Sequence, residues 1–164
     1  MSIKTLTGTA LLLALALVSQ SLRLLIPLPN TVSMFLIGTL VGICLVTATL
    51  RYGTGSGVII ACVTPVVAFL QGMLPLMPFI PVVAMGNIVF VLLAYAMARQ
   101  SVIMQAIVCA VGKAAVMYGG FSLLFMAIAL PASVEKALLF VMSWPQIVTG
   151  FLAVLITRLI IRRV

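Results

Sequence analysis

The stretch 102–130, VIMQAIVCAVGKAAVMYGGFSLLFMAIAL, decides the fold class, because over its whole length the only charged residue is Lys113. A helix of about 20 apolar residues crosses the hydrocarbon core of a bilayer. This run exceeds that length, which predicts a span that tilts, bends near Gly119 and Gly120, or extends beyond the bilayer. The rest of the chain is of the same kind: 65% of its 164 residues are hydrophobic and 6% charged, with nine Lys or Arg against one acid, Glu135. Globular domains carry roughly 25% charged residues to solvate their surface. Lipid is the natural solvent of this chain.

Working outward from 102–130, five further apolar runs appear at 7–26, 32–50, 57–74, 80–98 and 144–161. The breaks between runs carry turn residues: Pro27, Pro29 and Asn30; the alternating glycines of 52–56; Pro75, Pro78 and Pro81; Arg99 and Gln100; and the Pro/Ser-bounded segment 131–143. Pro65 alone falls well inside a run, where it removes a backbone donor and predicts a kink. The expected architecture is an all-α integral membrane protein, a single transmembrane domain over 1–164 formed by a bundle of six helices. An even number of spans puts both termini on one side. Lys4, Arg51, Arg99, Arg158, Arg162 and Arg163 share that side, whereas Arg23 and Lys136, with Glu135, fall on the other. This bias predicts cytoplasmic termini. The first run contains Ala14-Leu15-Ala16, a loose match to a leader cleavage site, but the apolar stretch continues to Ile26 and is read as a span.

Composition also excludes chemistry. With no His and one acid, the chain offers no carboxylate pair, no Ser/His/Asp set and no metal-ligand cluster, so neither a catalytic site nor a metal site is expected. Carriers that depend on an intramembrane carboxylate are disfavoured, since Glu135 lies in the 131–143 break. Cys44, Cys62 and Cys109 stand singly in apolar runs, with the pattern of small core residues rather than disulfides. The net charge of +8 is dispersed between apolar runs, the pattern of a membrane protein rather than a nucleic-acid binder. The segment 52–57, YGTGSG, lacks the Gly-Lys-Ser/Thr ending of a phosphate loop and has no strand before it. It reads as a flexible turn.

Polar residues at membrane depth carry the functional information, because each is costly unless it finds a partner or faces a cavity. In an up-down bundle Arg23, Asn30, Gln71, Asn87, Lys113, Tyr118, Trp144 and Gln146 come from different helices yet fall in the same, outer half. A pocket with two cations, several amides and two aromatic rings suits a small, partly apolar organic anion. Lys113 stands out: some twelve residues into its span, it lies about 18 Å along the helix, too deep to snorkel easily. Bland roles stand beside these: Trp144 as an interfacial anchor, Arg23 reaching headgroups, Asn87 and Gln71 as interhelical glue. In the other half of the first run Ala10, Ala14 and Val18 form a stripe four residues apart, at which another helix, of this chain or of a partner, can approach closely.

Several features carry a family resemblance: six spans, the Ala10-x-x-x-Ala14-x-x-x-Val18 stripe, an outward pocket, and the runs Ser33-Met34-Phe35-Leu36-Ile37-Gly38, Thr64-Pro65-Val66-Val67-Ala68-Phe69-Leu70-Gln71-Gly72 and Ser143-Trp144-Pro145-Gln146. The chain resembles the substrate-binding S components of energy-coupling factor (ECF) vitamin transporters. That resemblance implies a subunit of an importer in the bacterial cell membrane. It captures a micronutrient from outside and docks through Ala10, Ala14 and Val18 on a transmembrane coupling subunit. Two cytoplasmic ATPases then supply the energy, so the chain itself needs no cofactor and binds no ATP. Val18 departs from the Ala usual at the third stripe position. Nickel- and cobalt-uptake relatives use an amino-terminal His, and the absence of His argues against those metals. A thiamine-like cation would lack a carboxylate partner, whereas a pantothenate-, nicotinate- or lipoate-like acid could pair with Lys113 or Arg23. The rival class is a membrane assembly subunit with no ligand, its polar residues serving as glue.

Overall fold

A chain segment in hydrocarbon must satisfy its own backbone groups, and a helix does so within one segment. The computed structural model, which describes residues 2–25, 29–128 and 131–163, follows this rule throughout. Among the described residues there are seven helices and no strand: α1 Ile3–Leu25, α2 Asn30–Tyr52, α3 Thr54–Leu70, α4 Phe79–Ala96, α5 Val102–Ala127, α6 Ala132–Ser143 and α7 Pro145–Arg163. Residues 3–25, 31–52, 79–96, 102–127 and 133–162 form five stretches long and apolar enough to cross a membrane. The sixth apolar helix, α3, has 17 residues, a length of about 25 Å. This is a multi-pass helical membrane protein.

Helix boundaries follow local chemistry. Pro29, Pro78 and Pro131 precede the first residues of α2, α4 and α6, and Pro145 opens α7, where its missing N–H costs nothing. Ser101 caps α5 by accepting a hydrogen bond from the Met104 N–H at 3.3 Å. Pro65 sits inside α3, which continues through it. Two expectations need correction. The glycine-rich segment 52–56 is not an extended turn: Gly53 alone, with φ 94°, separates α2 from α3, because only glycine readily adopts that conformation. Segment 131–143 is not a loop either. It is helix α6, separated from α7 only at Trp144.

The long helices close a ring in the order α1, α3, α4, α5, α7, α2, with α2 also leaning inward against α3 and α4. Small residues make this closeness possible. A Cβ on Gly42 of α2 would stand 2.7 Å from the Ala153 Cβ of α7, and one on Gly150 of α7 would stand 3.3 Å from the Ala110 Cα of α5. Leu45, Val46, Ile60, Phe90, Cys109 and Val154 fill the centre. A second apolar cluster around Phe79, Met117, Phe121 and Phe125 packs the ends of α4 and α5, with Phe79 and Phe121 edge to face at 4.8 Å.

The two ends of the bundle differ. At the end formed by the start of α1 and the close of α7, the cationic end, hydrogen bonds cross between helices, and a groove of about 370 Å³ lies among Gly8, Leu12, Arg51, Tyr52 and Ile161. Thr9 Oγ1 donates to Ser56 Oγ at 2.7 Å, and Gln105 Nε2 to the Ala94 carbonyl at 2.6 Å. Arg158 reaches from α7 to the Ala98 and Gln100 carbonyls at 2.8 and 3.4 Å. Lys4, Arg51, Arg99, Arg158, Arg162 and Arg163 all belong to this end by their helix positions. The opposite end, where α1 and α3 finish and α2, α4 and α7 begin, holds a cavity.

Candidate functional site

The cavity consists of two joined chambers whose common wall is Gln20, Ile37, Gly38, Ala68 and Gln146. The outer chamber, of about 340 Å³, adds Arg23 and a largely apolar lining that includes Met34, Met73, Leu74, Val141 and Met142. The inner chamber is smaller, about 120 Å³, and adds Thr64, Pro65, Val83, Asn87 and Lys113. Along α2 the cavity runs from Val41 in the inner chamber to Met34 in the outer, a depth of about 10 Å at the helical rise. Gly38 belongs to the common wall because its hydrogen both leaves space and lets Thr149 approach: a Cβ there would lie 3.0 Å from the Thr149 Cγ2.

Lys113 sits near the middle of α5, about 17 Å from Val102 and about 21 Å from Ala127 along the axis. It is 5% exposed, and its Nζ lies 5.1 Å from the centroid of the Phe90 ring. Among the described residues it has no hydrogen-bond or ion-pair partner. Asn87, also 5% exposed, lines the same chamber with its amide unpartnered among those residues. A cation and an amide with free donors, facing a small space at mid-membrane depth, form an anion-accepting pair.

The residues proposed from sequence therefore divide. Arg23, Asn87, Lys113 and Gln146 meet in the joined chambers. Gln71 does not line them; its Nε2 donates to Ser21 Oγ at 3.0 Å and ties the end of α3 to α1. Tyr118 and Trp144 lie in a separate groove of about 310 Å³ with Lys136, Phe140 and Ser143. Tyr118 is 57% exposed there, and Trp144 packs on Phe35 and Phe140 with ring centroids 5.5 Å away in each case. Asn30 begins α2, but its side chain lies outside the described residues.

Sequence reasoning missed Gln20 and Thr64. Gln20 lines both chambers, and its Nε2 donates to the Thr64 carbonyl at 3.1 Å, which fixes the orientation of the amide. The available signal was an amide inside the first apolar run, one helical turn before Arg23 and hence on the same face. Met34, Met73 and Met142 carried no such signal, since a methionine in an apolar run looks the same whether it packs or lines a cavity.

The Ala10, Ala14 and Val18 stripe lies elsewhere. The buried residues of α1 are Gly8, Thr9, Ala16, Ser19 and Gln20, whereas Ala10 and Ala14 are exposed and Val18 is 61% exposed. The stripe faces away from the bundle. Among the described residues no group of His, Cys, Asp or Glu is arranged to hold a metal ion.

No curated protein and no solved structure matches the chain significantly. The family described as ECF transporter, substrate-specific component, matches residues 4–163. With a helical membrane bundle enclosing a cavity, and a match that spans nearly the whole sequence, the chain belongs to the substrate-specific components of ECF transporters.

Proposed function

We propose that this subunit captures a small organic anion, a vitamin or its precursor, from outside a bacterial plasma membrane. Lys113 is its counter-ion. The observation that carries the reading is a buried ammonium, with no hydrogen-bond or ion-pair partner among the described residues, lining the same small chamber as Asn87. A charge at that depth is costly, and a ligand carboxylate supplies the missing partner. Gln20, Arg23 and Gln146 complete the polar lining. Gln71 and Gln105 have the interhelical bonds expected of glue; Lys113 has none among the described residues, which favours a ligand site over a purely structural assembly role.

In this reading α1, α2, α3, α4, α5 and the α6–α7 unit make six crossings of a single transmembrane domain. The positive charge at the cationic end is cytoplasmic and the cavity opens outward. The exposed Ala10, Ala14 and Val18 stripe docks on a transmembrane coupling subunit, because small residues let a partner helix approach closely. Two cytoplasmic ATPases drive transport, and this subunit needs neither an ATPase site nor a cofactor of its own. The test is to purify the protein in detergent and identify the co-purifying small molecule by mass spectrometry. An acid that is lost from a folded Lys113→Gln variant supports the reading; a co-purifying cation, or an acid retained by the variant, refutes it.

A further inference from the structure

The two chambers differ in a way that specifies more than charge. The inner one, about 120 Å³, has the volume of roughly four waters. It takes a carboxylate and little else. Its distinctive polar groups are Lys113 and Asn87, both almost fully buried. The outer chamber is nearly three times as large; Gln20, Arg23 and Gln146 stand on its wall, and its apolar lining includes Met34, Met73, Leu74 and Met142. Methionine is unbranched and polarisable, so three of them form an adaptable apolar surface. A ligand polar along its whole length could pair with Gln20, Arg23 or Gln146, but its hydroxyl or amide groups that meet the methionines and Leu74 would be left unpaired, at a cost.

Resting on the function proposed above, we infer that the substrate is an amphipathic monocarboxylic acid bound acid-first. Its carboxylate sits at Lys113 and Asn87, and an unbranched or narrow apolar body fills the Met-lined chamber, the whole molecule spanning the cavity depth of about 10 Å. The order follows from depth: Lys113 lies near the middle of α5, whereas Met34 lies near the start of α2, so an acid at the ammonium leaves its apolar body towards the end of the bundle. The apolar body then covers the ion pair and excludes water from it, which strengthens the pairing.

The experiment is a calorimetric titration of the protein in lipid nanodiscs with straight-chain acids from propionate to octanoate, ω-phenylhexanoate, ω-phenylhexanamide and gluconate. Affinity is expected to rise about four-fold with each methylene that enters the outer chamber. Phenylhexanoate is expected to exceed its amide by at least ~30-fold, and Lys113→Gln to bring that ratio close to one. Met34→Gln and Met73→Gln should flatten the rise per methylene. Affinity that is flat along the series, or gluconate binding more tightly than phenylhexanoate in a Lys113-dependent manner, overturns the amphipathic inference and leaves the anion-binding reading standing. If no acid binds the native protein, both fall.

Discussion

Replacing Lys113 by Met separates a ligand counter-ion from a structural lysine, because the two roles shift stability in opposite directions. The substitution keeps side-chain length and removes the ammonium. A lysine at the centre of a membrane helix costs about 2.5–3.5 kcal/mol, and the Phe90 ring 5.1 Å from Nζ returns about 0.5–2 kcal/mol. With no other partner among the described residues, a net cost of about 0.5–3 kcal/mol remains in the empty protein. Lys113→Met should therefore raise the melting temperature of the ligand-free protein, by about 2–4 °C per kcal/mol for a chain of this size. Ligand binding should move the other way. Removing one partner of a buried charge pair costs about 2–5 kcal/mol, or about 30-fold to several thousand-fold in Kd. The assay is thermal unfolding in nanodiscs with and without the co-purified ligand. A saturating ligand adds about 2.7 kcal/mol to the native protein at 100 times Kd and should add about 0.9 kcal/mol or less to the variant at the same concentration. A variant that melts below the native protein when empty, or that retains the ligand shift, refutes the reasoning.

Ala68→Phe should fill the wall common to both chambers and abolish ligand binding while leaving the helical content measured by circular dichroism unchanged. Gly42→Val should force α2 and α7 apart at Ala153 and destabilise the bundle by about 1–3 kcal/mol through overpacking, read as a lower melting temperature in a protein that still inserts. Arg158→Ala removes two charge-assisted bonds to the Ala98 and Gln100 carbonyls and should cost about 1–3 kcal/mol, with hydrogen exchange rising most around 97–101. Ala10→Trp and Ala14→Trp, both on the exposed face of α1, should reduce co-purification of a coupling subunit without altering ligand affinity. Weakened ligand binding in those two variants would place the stripe inside the bundle instead.

Much of the fold was legible because lipid imposes a length and a composition on each span. The runs at 32–50, 80–98 and 144–161 fall within two residues of α2, α4 and α7 at each end. The misreadings came where turn chemistry was the only guide. Alternating glycines at 52–56 look like a loose loop, yet one positive φ at Gly53 is enough to reverse the chain, and the remaining residues continue as helix. Segment 131–143 carries Glu135, Lys136 and bounding Pro and Ser residues, which suppressed its apolar signal. Leu138, Leu139 and Met142 nevertheless pack on the Phe79–Phe121 cluster and make it a helix.

For the site, depth was readable and azimuth was not. Counting residues into an apolar run assigns Lys113, Asn87 and Arg23 to the same half of the bundle, because the helical rise is fixed. Which face of each helix points inward depends on how the helices rotate against their neighbours. That rotation is set by contacts such as Gly42 on Ala153 and Gly150 on Ala110, formed between residues more than 35 positions apart in the sequence. The sequence by itself determined a membrane bundle with an unneutralised cation at its centre, since composition and run length suffice for that. Only the tertiary structure decided that Gln20 joins the chamber, that Tyr118 and Trp144 lie outside it, and that the stripe on α1 faces outward, because packing between distant small residues fixes those rotations.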